Sequence, residues 1–471
     1  MKLYCKEKDY TLFNGSMLDM LEVVKPNSVD AIVCDPPYEL NFMGKGWDNS
    51  GIAFSPDAWG KCFEVLKDGG YLLAFGGSRT YHRIACAIED AGFEIRDCIM
   101  WLYGSGFPKS MNLGLAIDKK NGVESEIVGI NKSVQDLKEV GKITGHKMTF
   151  GQEGTQNCAR KDVPILKARN QWDGWGTCLK PAYEPIIVAR KPFKGSLIEN
   201  IMENGVGGLN IDECRVAFDG EDAWKPQKSG KSSRAFQSEE TTTAGGECTA
   251  NENGRFPANV ILTYDDTDFE EVCGGFPDTK SGIRKPTGGI ILNPKDGWNN
   301  NSMIDKTERG FNDEGSAARY FYCAKASKKD RDEGLEKFET KTKVFNGKSD
   351  SSSEDMKDVE KRFTTNGKNI HPTVKPIELM QYLIRLVAPK GATIMDCFMG
   401  SGSTGKAAMF ENRERNANYH FIGIELTDEY LPICKSRIDY AINKYEYDLI
   451  KEQKDKEKET GQTCLDLFGD D

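Results

Sequence analysis

The sequence predicts an α/β fold, a parallel sheet covered by helices on both faces and fed by both ends of the chain. Three observations predict it. Short apolar strands alternate with helical segments over the first hundred residues, the alternation fades from about position 102, and it returns at 371. Strand–helix alternation implies parallel pairing, because a parallel crossover needs a helix to carry the chain back. Neither end has enough strands to bury both faces of a sheet, so the two are expected to pack as one domain with the middle inserted between them.

The elements follow from local pattern. Val29-Asp30-Ala31-Ile32-Val33-Cys34 is a β-branched run that ends at an Asp-Pro-Pro turn. From Asp57 to Lys67, Ala58, Cys62, Val65 and Leu66 recur at helical spacing, and Gly69-Gly70 is expected to close that helix. Tyr71 to Phe75 reads as a buried strand. A helix is expected from Thr80 to Ala91, with Ile84, Ala87 and Ile88 on one side, and another strand from Ile95 to Trp101. In the middle, glycine, asparagine, proline and tryptophan rise, and Pro185 to Ala189 and Asn259 to Leu262 are the clear strands. Residues 227–250 and 346–358 are polar stretches expected to be mobile. Pro376 suits the first turn of a helix running through Ala388. Thr393 to Cys397 and Phe421 to Glu425 read as strands, each followed by a helix, Ser403 to Phe410 and Asp428 to Tyr440. The expected organisation is a first half-domain at 1–110, an insertion at 111–330 that also supplies strands to the sheet, a flexible linker at 331–370, a second half-domain at 371–445 and a charged tail at 446–471.

Composition bounds the function. The chain has 471 residues, 38% of them hydrophobic, enough for one large domain with insertions. No run of about 18 apolar residues exists, and the opening Met1-Lys2-Leu3-Tyr4-Cys5-Lys6 lacks a signal-peptide core, so a cytoplasmic protein with no membrane partner is expected. The 14 cysteines form no C-x-x-C pair and there are only four histidines, so no metal site is expected. Cys34, Cys86 and Cys397 lie in apolar runs and read as reduced core residues. Net charge is -10, yet residues 101–200 carry 15 Lys and Arg against 10 acids, while 441–471 carry 5 Lys against 9 acids. A basic middle and an acidic tail are compatible with a nucleic-acid partner or with plain solvated faces.

Two motifs carry chemistry. Asp396-Cys397-Phe398-Met399-Gly400-Ser401-Gly402-Ser403-Thr404-Gly405 is a strand entering a glycine-rich turn and then a helix. Glycine lets backbone approach a ligand closely, and the helix N-terminus offers unpaired amides. Glu425 ends the next strand, where a carboxylate can accept both hydroxyls of a ribose. The turn is not a phosphate loop, since Gly405-Lys406-Ala407 lacks the magnesium-binding hydroxyl. The second motif is Asp35-Pro36-Pro37-Tyr38, at the carboxyl end of a strand. Two prolines remove two N–H donors and fix the chain, so the Asp35 carboxylate and the Pro36 carbonyl form a pair of acceptors suited to an amino group. Tyr38 can stack on a planar ring, worth ~1–3 kcal/mol per base. Alone, Asp-Pro-Pro is also an ordinary surface turn, and G-x-G an ordinary tight turn.

Together these motifs resemble the amino-methylating DNA methyltransferases, the adenine-N6 and cytosine-N4 family, whose hallmarks are (D/N/S)PP(Y/F/W) and FxGxG. Here the target motif precedes the cofactor motif, an order similar to the β group. His371-Pro372-Thr373-Val374-Lys375-Pro376 is a further match. So are Gly174-Trp175-Gly176-Thr177, Lys180-Pro181-Ala182-Tyr183-Glu184-Pro185, Gly254-Arg255-Phe256-Pro257-Ala258-Asn259 and Tyr320-Phe321-Tyr322-Cys323-Ala324-Lys325-Ala326, which look like prophage or restriction-modification members. The resemblance implies a circularly permuted Rossmann-like sheet that uses S-adenosyl-L-methionine, with a large inserted target-recognition region. It implies catalysis by Asp35, Pro36, Pro37 and Tyr38. Cofactor binding is expected from Ser16, Thr373, Lys375, Asp396, Phe398, Gly400, Ser401, Gly402, Thr404 and Glu425, with Thr373 and Lys375 at the methionine end. The chain departs from the family at Cys397, where proline is usual, and at Gly15-Ser16, where Gly-Asp usually meets the cofactor's adenine.

What the resemblance implies, then, is a site-specific methyltransferase acting on adenine in double-stranded DNA, the base extruded from the stack. Adenine is preferred because cytosine-amine members more often carry Ser before Pro-Pro. Cytosine-N4 transfer is the alternative, followed by an RNA or protein amine methyltransferase and a non-catalytic DNA-binding subunit. No Pro-Cys dipeptide is present to serve as a ring-carbon nucleophile. Phe42, Trp47, Trp101 and Tyr103 are candidates to flank the base, and Arg79, Lys109, Arg160, Lys161, Lys167 and Arg169 to contact phosphates. A companion restriction endonuclease is the implied protein partner, and the oligomeric state is left as monomer or homodimer.

Overall fold

The computed structural model describes residues 1–40, 46–104, 106, 110–131, 163–217, 254–263, 276–281, 290–291, 303–304, 313–323, 330–344 and 364–444. In chain order the elements begin with a hairpin of β1 (Lys2–Lys6) and β2 (Tyr10–Asn14). Then come β3 (Val29–Cys34), α1 (Pro56–Val65), β4 (Leu66–Phe75), α2 (Tyr81–Asp90) and β5 (Glu94–Tyr103). The middle contributes α3 (Leu113–Lys120), β6 (Glu126–Asn131), β7 (Val163–Lys167), β8 (Tyr183–Arg190), α4 (Leu197–Asn204) and β9 (Val260–Thr263). It continues with β10 (Asp278–Ser281), β11 (Ile290–Ile291), β12 (Met303–Ile304), β13 (Asp313–Ser316), β14 (Tyr322–Cys323) and β15 (Lys341–Val344). The last part is β16 (Thr364–Gly367), α5 (Ile377–Val387), β17 (Thr393–Asp396), α6 (Ser403–Arg415), β18 (His420–Glu425) and α7 (Leu431–Ile442).

Ten of these strands form one sheet in the order β1-β2-β18-β17-β3-β4-β8-β5-β9-β14, while β6–β7, β10–β13, β11–β12 and β15–β16 are separate two-stranded ribbons. The two ends of the chain meet at its centre, since β17 pairs in parallel with β3 and β18 pairs in parallel with β2. Asp30 secures the seam: one carboxylate oxygen takes the Lys67 ammonium at 2.6 Å and the other accepts the Thr393 N–H at 2.7 Å.

Alternation along each strand sorts side chains to two faces. Ala31 and Val33 of β3 join one apolar cluster with Leu383, Ala407 and Ile438 of α5, α6 and α7. Ile32 and Cys34 join the other, with Trp59, Cys62 and Ile84 of α1 and α2. Each end of the chain therefore supplies helices for one face, and the sheet is covered on both faces only when both ends are in place. Burial of one such aliphatic side chain stabilises the fold by ~1.5–3 kcal/mol.

Several elements differ from the sequence-based expectation. The sheet is not wholly parallel, for β8 runs antiparallel to both β4 and β5, and β1 antiparallel to β2. Ile186 to Ala189 are buried on both faces, and a doubly buried strand has the same apolar run whichever way it points. The first helix ends at Val65 and β4 begins at once, with Gly69 at φ +82° beside a register shift between Val29 and Ala31. Gly69-Gly70 thus form an irregularity inside the strand rather than a helix stop. Helix α6 runs on to Arg415, and Asp428–Tyr430 is a single 3₁₀ turn ahead of α7. Cys86 is exposed on the outer side of α2, whereas Cys34 and Cys397 are buried. The polar stretches 227–250 and 346–358 and the tail 446–471 lie outside the described residues. Among the described residues no helix is long and apolar enough to cross a membrane.

Candidate active site

Both motifs open onto one cavity of about 1080 Å³ at the carboxyl ends of the central strands. Asp35, Pro36, Pro37 and Tyr38, following β3, form part of its wall. Phe398, Gly400, Ser401 and Thr404, following β17, form another part, with Glu425 from the end of β18 and Ser16 from the end of β2. Adjacent parallel strands deliver their loops to the same edge, which is where ligands bind in open α/β sheets. The cavity is at the upper end of the ~300–1,000 Å³ typical of one small-molecule site.

At the glycine turn, backbone sets the shape. Gly400 has φ +55°, and a Cβ there would sit 2.9 Å from His371 Nε2. Its N–H donates to Glu425 Oε2 at 2.7 Å, and the Thr427 N–H donates to Glu425 Oε1 at 2.8 Å. Glu425 is thus held from two sides. Burial pushes its carboxyl up, against the pull of those two amides. Gly402 does not line the cavity. It caps α6 at φ +75°, where a Cβ would meet the Cα of Cys434 at 3.0 Å. The Asp396 carboxylate faces inward on the turn, accepting from Phe398 N at 3.0 Å and Thr404 Oγ1 at 2.6 Å, and burial pushes it well above the usual carboxylate range. Arg437, fully buried on α7, donates to the carbonyl and hydroxyl of Ser401 from below. The Ser16 hydroxyl caps the 3₁₀ turn Met17–Glu22 by accepting from Leu18 N.

At the Asp-Pro-Pro turn, charged side chains set the shape. Lys375 Nζ donates to Asp35 Oδ2 at 2.6 Å and to the Tyr38 hydroxyl at 3.2 Å, and lies 3.4 Å from Glu184 Oε2. Tyr38 in turn donates to Glu184 Oε2 at 2.7 Å, and Tyr103 to Glu184 Oε1 at 3.2 Å. Burial works against the Lys375 ammonium, but Asp35 and Glu184 more than offset it and hold the pKa above the ordinary lysine value. Burial, Asp35 and Glu184 push the Tyr38 phenol well up, so it remains a donor. One atom is left over. Asp35 Oδ1 is buried and has no hydrogen-bond partner in the structure. An orphaned carboxylate oxygen at a cavity wall is costly unless a ligand donor completes it.

The structure brings together all the expected site residues except Gly402, which lies behind the turn. Thr373 and Lys375 are both on the wall, but Lys375 engages the Asp-Pro-Pro turn instead of the open space near Gly400. Tyr103 is at the wall. Trp101 is core, 8% exposed, with its indole N–H donated to Thr263 Oγ1 at 2.8 Å. Cys397 occupies the usual proline position as a buried residue, its sulfur 3.7 Å from that of Cys62. Arg79 is exposed at the cavity, and Lys167 and Arg169 are exposed elsewhere. Phe42, Lys109, Arg160, Lys161 and the side chain of Trp47 fall outside the described residues. Glu184 and Arg437 carried no expected role. The signal for Glu184 was an acid set at the mouth of an apolar strand, directly before Pro185; Arg437 had none, being one more cation on an amphipathic helix.

A family model described as DNA methylase matches residues 29–436, most of the chain and both motifs. The Type II methyltransferase M.BglI of Bacillus subtilis is 39% identical over 84 residues, 17% of this chain and 22% of that protein. The Type II methyltransferase M2.LlaDCHI of Lactococcus lactis subsp. cremoris is 29% identical over 249 residues, 48% of this chain and 88% of that protein. The solved PvuII DNA methyltransferase, described as cytosine-N4-specific, aligns over 93% of this chain and 94% of its own at 11% identity, with a TM-score of 0.36, too low to bear on fold or function.

Proposed function

This chain belongs to the DNA methylase family, and we propose that it transfers a methyl group from S-adenosyl-L-methionine to the exocyclic N6 amine of adenine in double-stranded DNA, at a specific sequence. The observation that carries the reading is Asp35 Oδ1, buried and without a partner on the wall of a cavity that also contains the glycine turn. An amine hydrogen is the donor such an atom lacks. The cavity has room for a nucleoside and an extruded base side by side.

The residues present fit the cofactor. The Gly400 cradle excludes a side chain, and Glu425 keeps acceptor capacity for ribose hydroxyls while two amides fix its plane. Ser16 supports the nucleoside side of the same wall. Bound S-adenosyl-L-methionine would supply a sulfonium methyl: the amine nitrogen would form the new bond to carbon as the carbon–sulfur bond breaks, the cofactor would leave as a neutral thioether, and the proton lost from the amine would pass to the Asp35 carboxylate and on to solvent. Asp35 and the Pro36 carbonyl accept the two amine hydrogens and so turn the lone pair toward the cofactor side. Tyr38, anchored through its hydroxyl, offers its ring edge or face to the base. Positioning of two reactants in a closed site supplies most of the rate, and no covalent enzyme intermediate is required.

Adenine is supported by the Asp before Pro-Pro, and target recognition is assigned to the segment 111–330 between the two half-domains. The test is to incubate purified protein with S-adenosyl-L-methionine and duplex DNA, then sequence the product for modified bases. N6-methyladenine in one recurring context is the expected outcome. N4-methylcytosine corrects the base, and methylation confined to RNA or protein refutes the reading.

A further inference from the structure

Lys375 is a buried cation in the middle of the Asp-Pro-Pro site, with its side chain only 8% exposed. An ammonium has three donors, and the Lys375 ammonium faces three oxygens of its own cluster, those of Asp35, Tyr38 and Glu184. The ring of Phe75 lies beneath it, 4.8 Å from Nζ to the centroid. Two of these contacts are hydrogen bonds and the third is an ion pair at 3.4 Å, so the ammonium is directed at its own cluster and not at the space beside Gly400. Stability alone does not call for this arrangement, because replacing a buried ion pair with packed apolar side chains is often neutral or stabilising.

The cluster has a direction. Tyr103 and Tyr38 hold Glu184, Glu184 and Tyr38 hold Lys375, and Lys375 holds Asp35 Oδ2. The chain of contacts ends at Asp35 Oδ2, and the other oxygen, Oδ1, is buried on the wall of the cavity with no hydrogen-bond partner in the structure. One anchored oxygen fixes the carboxylate plane and therefore the line along which Oδ1 meets a donor. We propose that Lys375 and Glu184 are positioning residues for methyl transfer, acting through Asp35 and not on the cofactor. The inference rests on the methyl-transfer reading above.

The test combines cofactor affinity by calorimetry, single-turnover methyl transfer on duplex DNA, and a double-mutant cycle. Lys375→Met is expected to bind S-adenosyl-L-methionine within about twofold of wild type while the transfer rate falls about 100-fold, the scale of a misplaced reacting group. Lys375→Arg keeps the charge and recovers about tenfold of that loss. In an Asp35→Asn background, Lys375→Met costs less than about threefold, because the group it orients is already disabled. A tenfold loss of cofactor affinity with an unchanged rate overturns the proposal in favour of a cofactor ligand. An undiminished 100-fold cost in the Asp35→Asn background, or an Arg variant as poor as Met, overturns it in favour of a bulk structural role. Should Lys375→Met fail to fold, Glu184→Gln decides: a lowered rate at unchanged affinity supports the proposal, and a wild-type rate ends it. Wild-type protein inactive on every DNA instead refutes the parent reading, an outcome visible before any variant is made.

Discussion

The two ends of the cavity are built by different means. At the Gly400 end, shape comes from backbone: a left-handed glycine, a carboxylate gripped by two amides, and a helix start packed against α7. At the Asp35 end it comes from side chains, two acids, a lysine and two tyrosines contributed by four separate stretches of chain. Backbone walls suit a ligand that is always the same. Side-chain walls suit a group whose charge and hydrogen bonds must be set finely for reaction, because single atoms can be assigned to single tasks. Affinity for cofactor and rate of transfer should therefore be separable by mutation.

The largest expected effect is at Asp35. Asp35→Ala should lower the single-turnover rate by ~10³-fold or more while calorimetry finds cofactor affinity within about twofold of wild type. A matching collapse in affinity would merge the two ends into one and break the comparison. Next comes Gly400→Val, which forces a β-branched residue to positive φ against His371. Strain of ~1–3 kcal/mol should appear as roughly 10- to 100-fold weaker cofactor binding, with the rate at saturating cofactor changed far less. A smaller effect sharpens the side-chain end: Tyr103→Phe removes one hydrogen bond to Glu184, worth ~0.5–1.5 kcal/mol, so a rate loss of about two- to tenfold is expected in the same assay. Smallest of all, Phe93→Leu should leave rate and affinity alike within about twofold and lower only the thermal midpoint, since Phe93 packs edge-on against Phe63 and neither lines the cavity.

The same difference governs what was legible in the sequence. Gly400, Glu425 and the strand before them are local signals, and glycine before a helix start has a narrow set of physical meanings. The parallel seam of the two ends followed from counting strands against faces to be covered. The antiparallel course of β8 left no trace, because a doubly buried strand carries no mark of direction. Asp35 was readable from its two prolines, but not what holds it. The partners Glu184 and Lys375 lie far along the chain, and an ion pair has no periodicity to betray it. The motif points Lys375 toward a cofactor, and only the geometry shows the three other oxygens that it faces. The glycine turn and its motif place Gly402 beside Gly400, although its left-handed conformation answers to Cys434 on α7.

Asp30 and Thr393, which clasp β3 to β17, are 363 positions apart. A ribosome adding roughly 5–20 residues per second needs on the order of 20–70 seconds to cross that interval. For that time the nascent β3 has an unclaimed hydrogen-bonding rim and the growing sheet one bare oily face, the conditions that invite mispairing with a neighbour. The pocket therefore forms only after both halves have been made, and yield in a host is expected to rise with chaperones that shelter the waiting half.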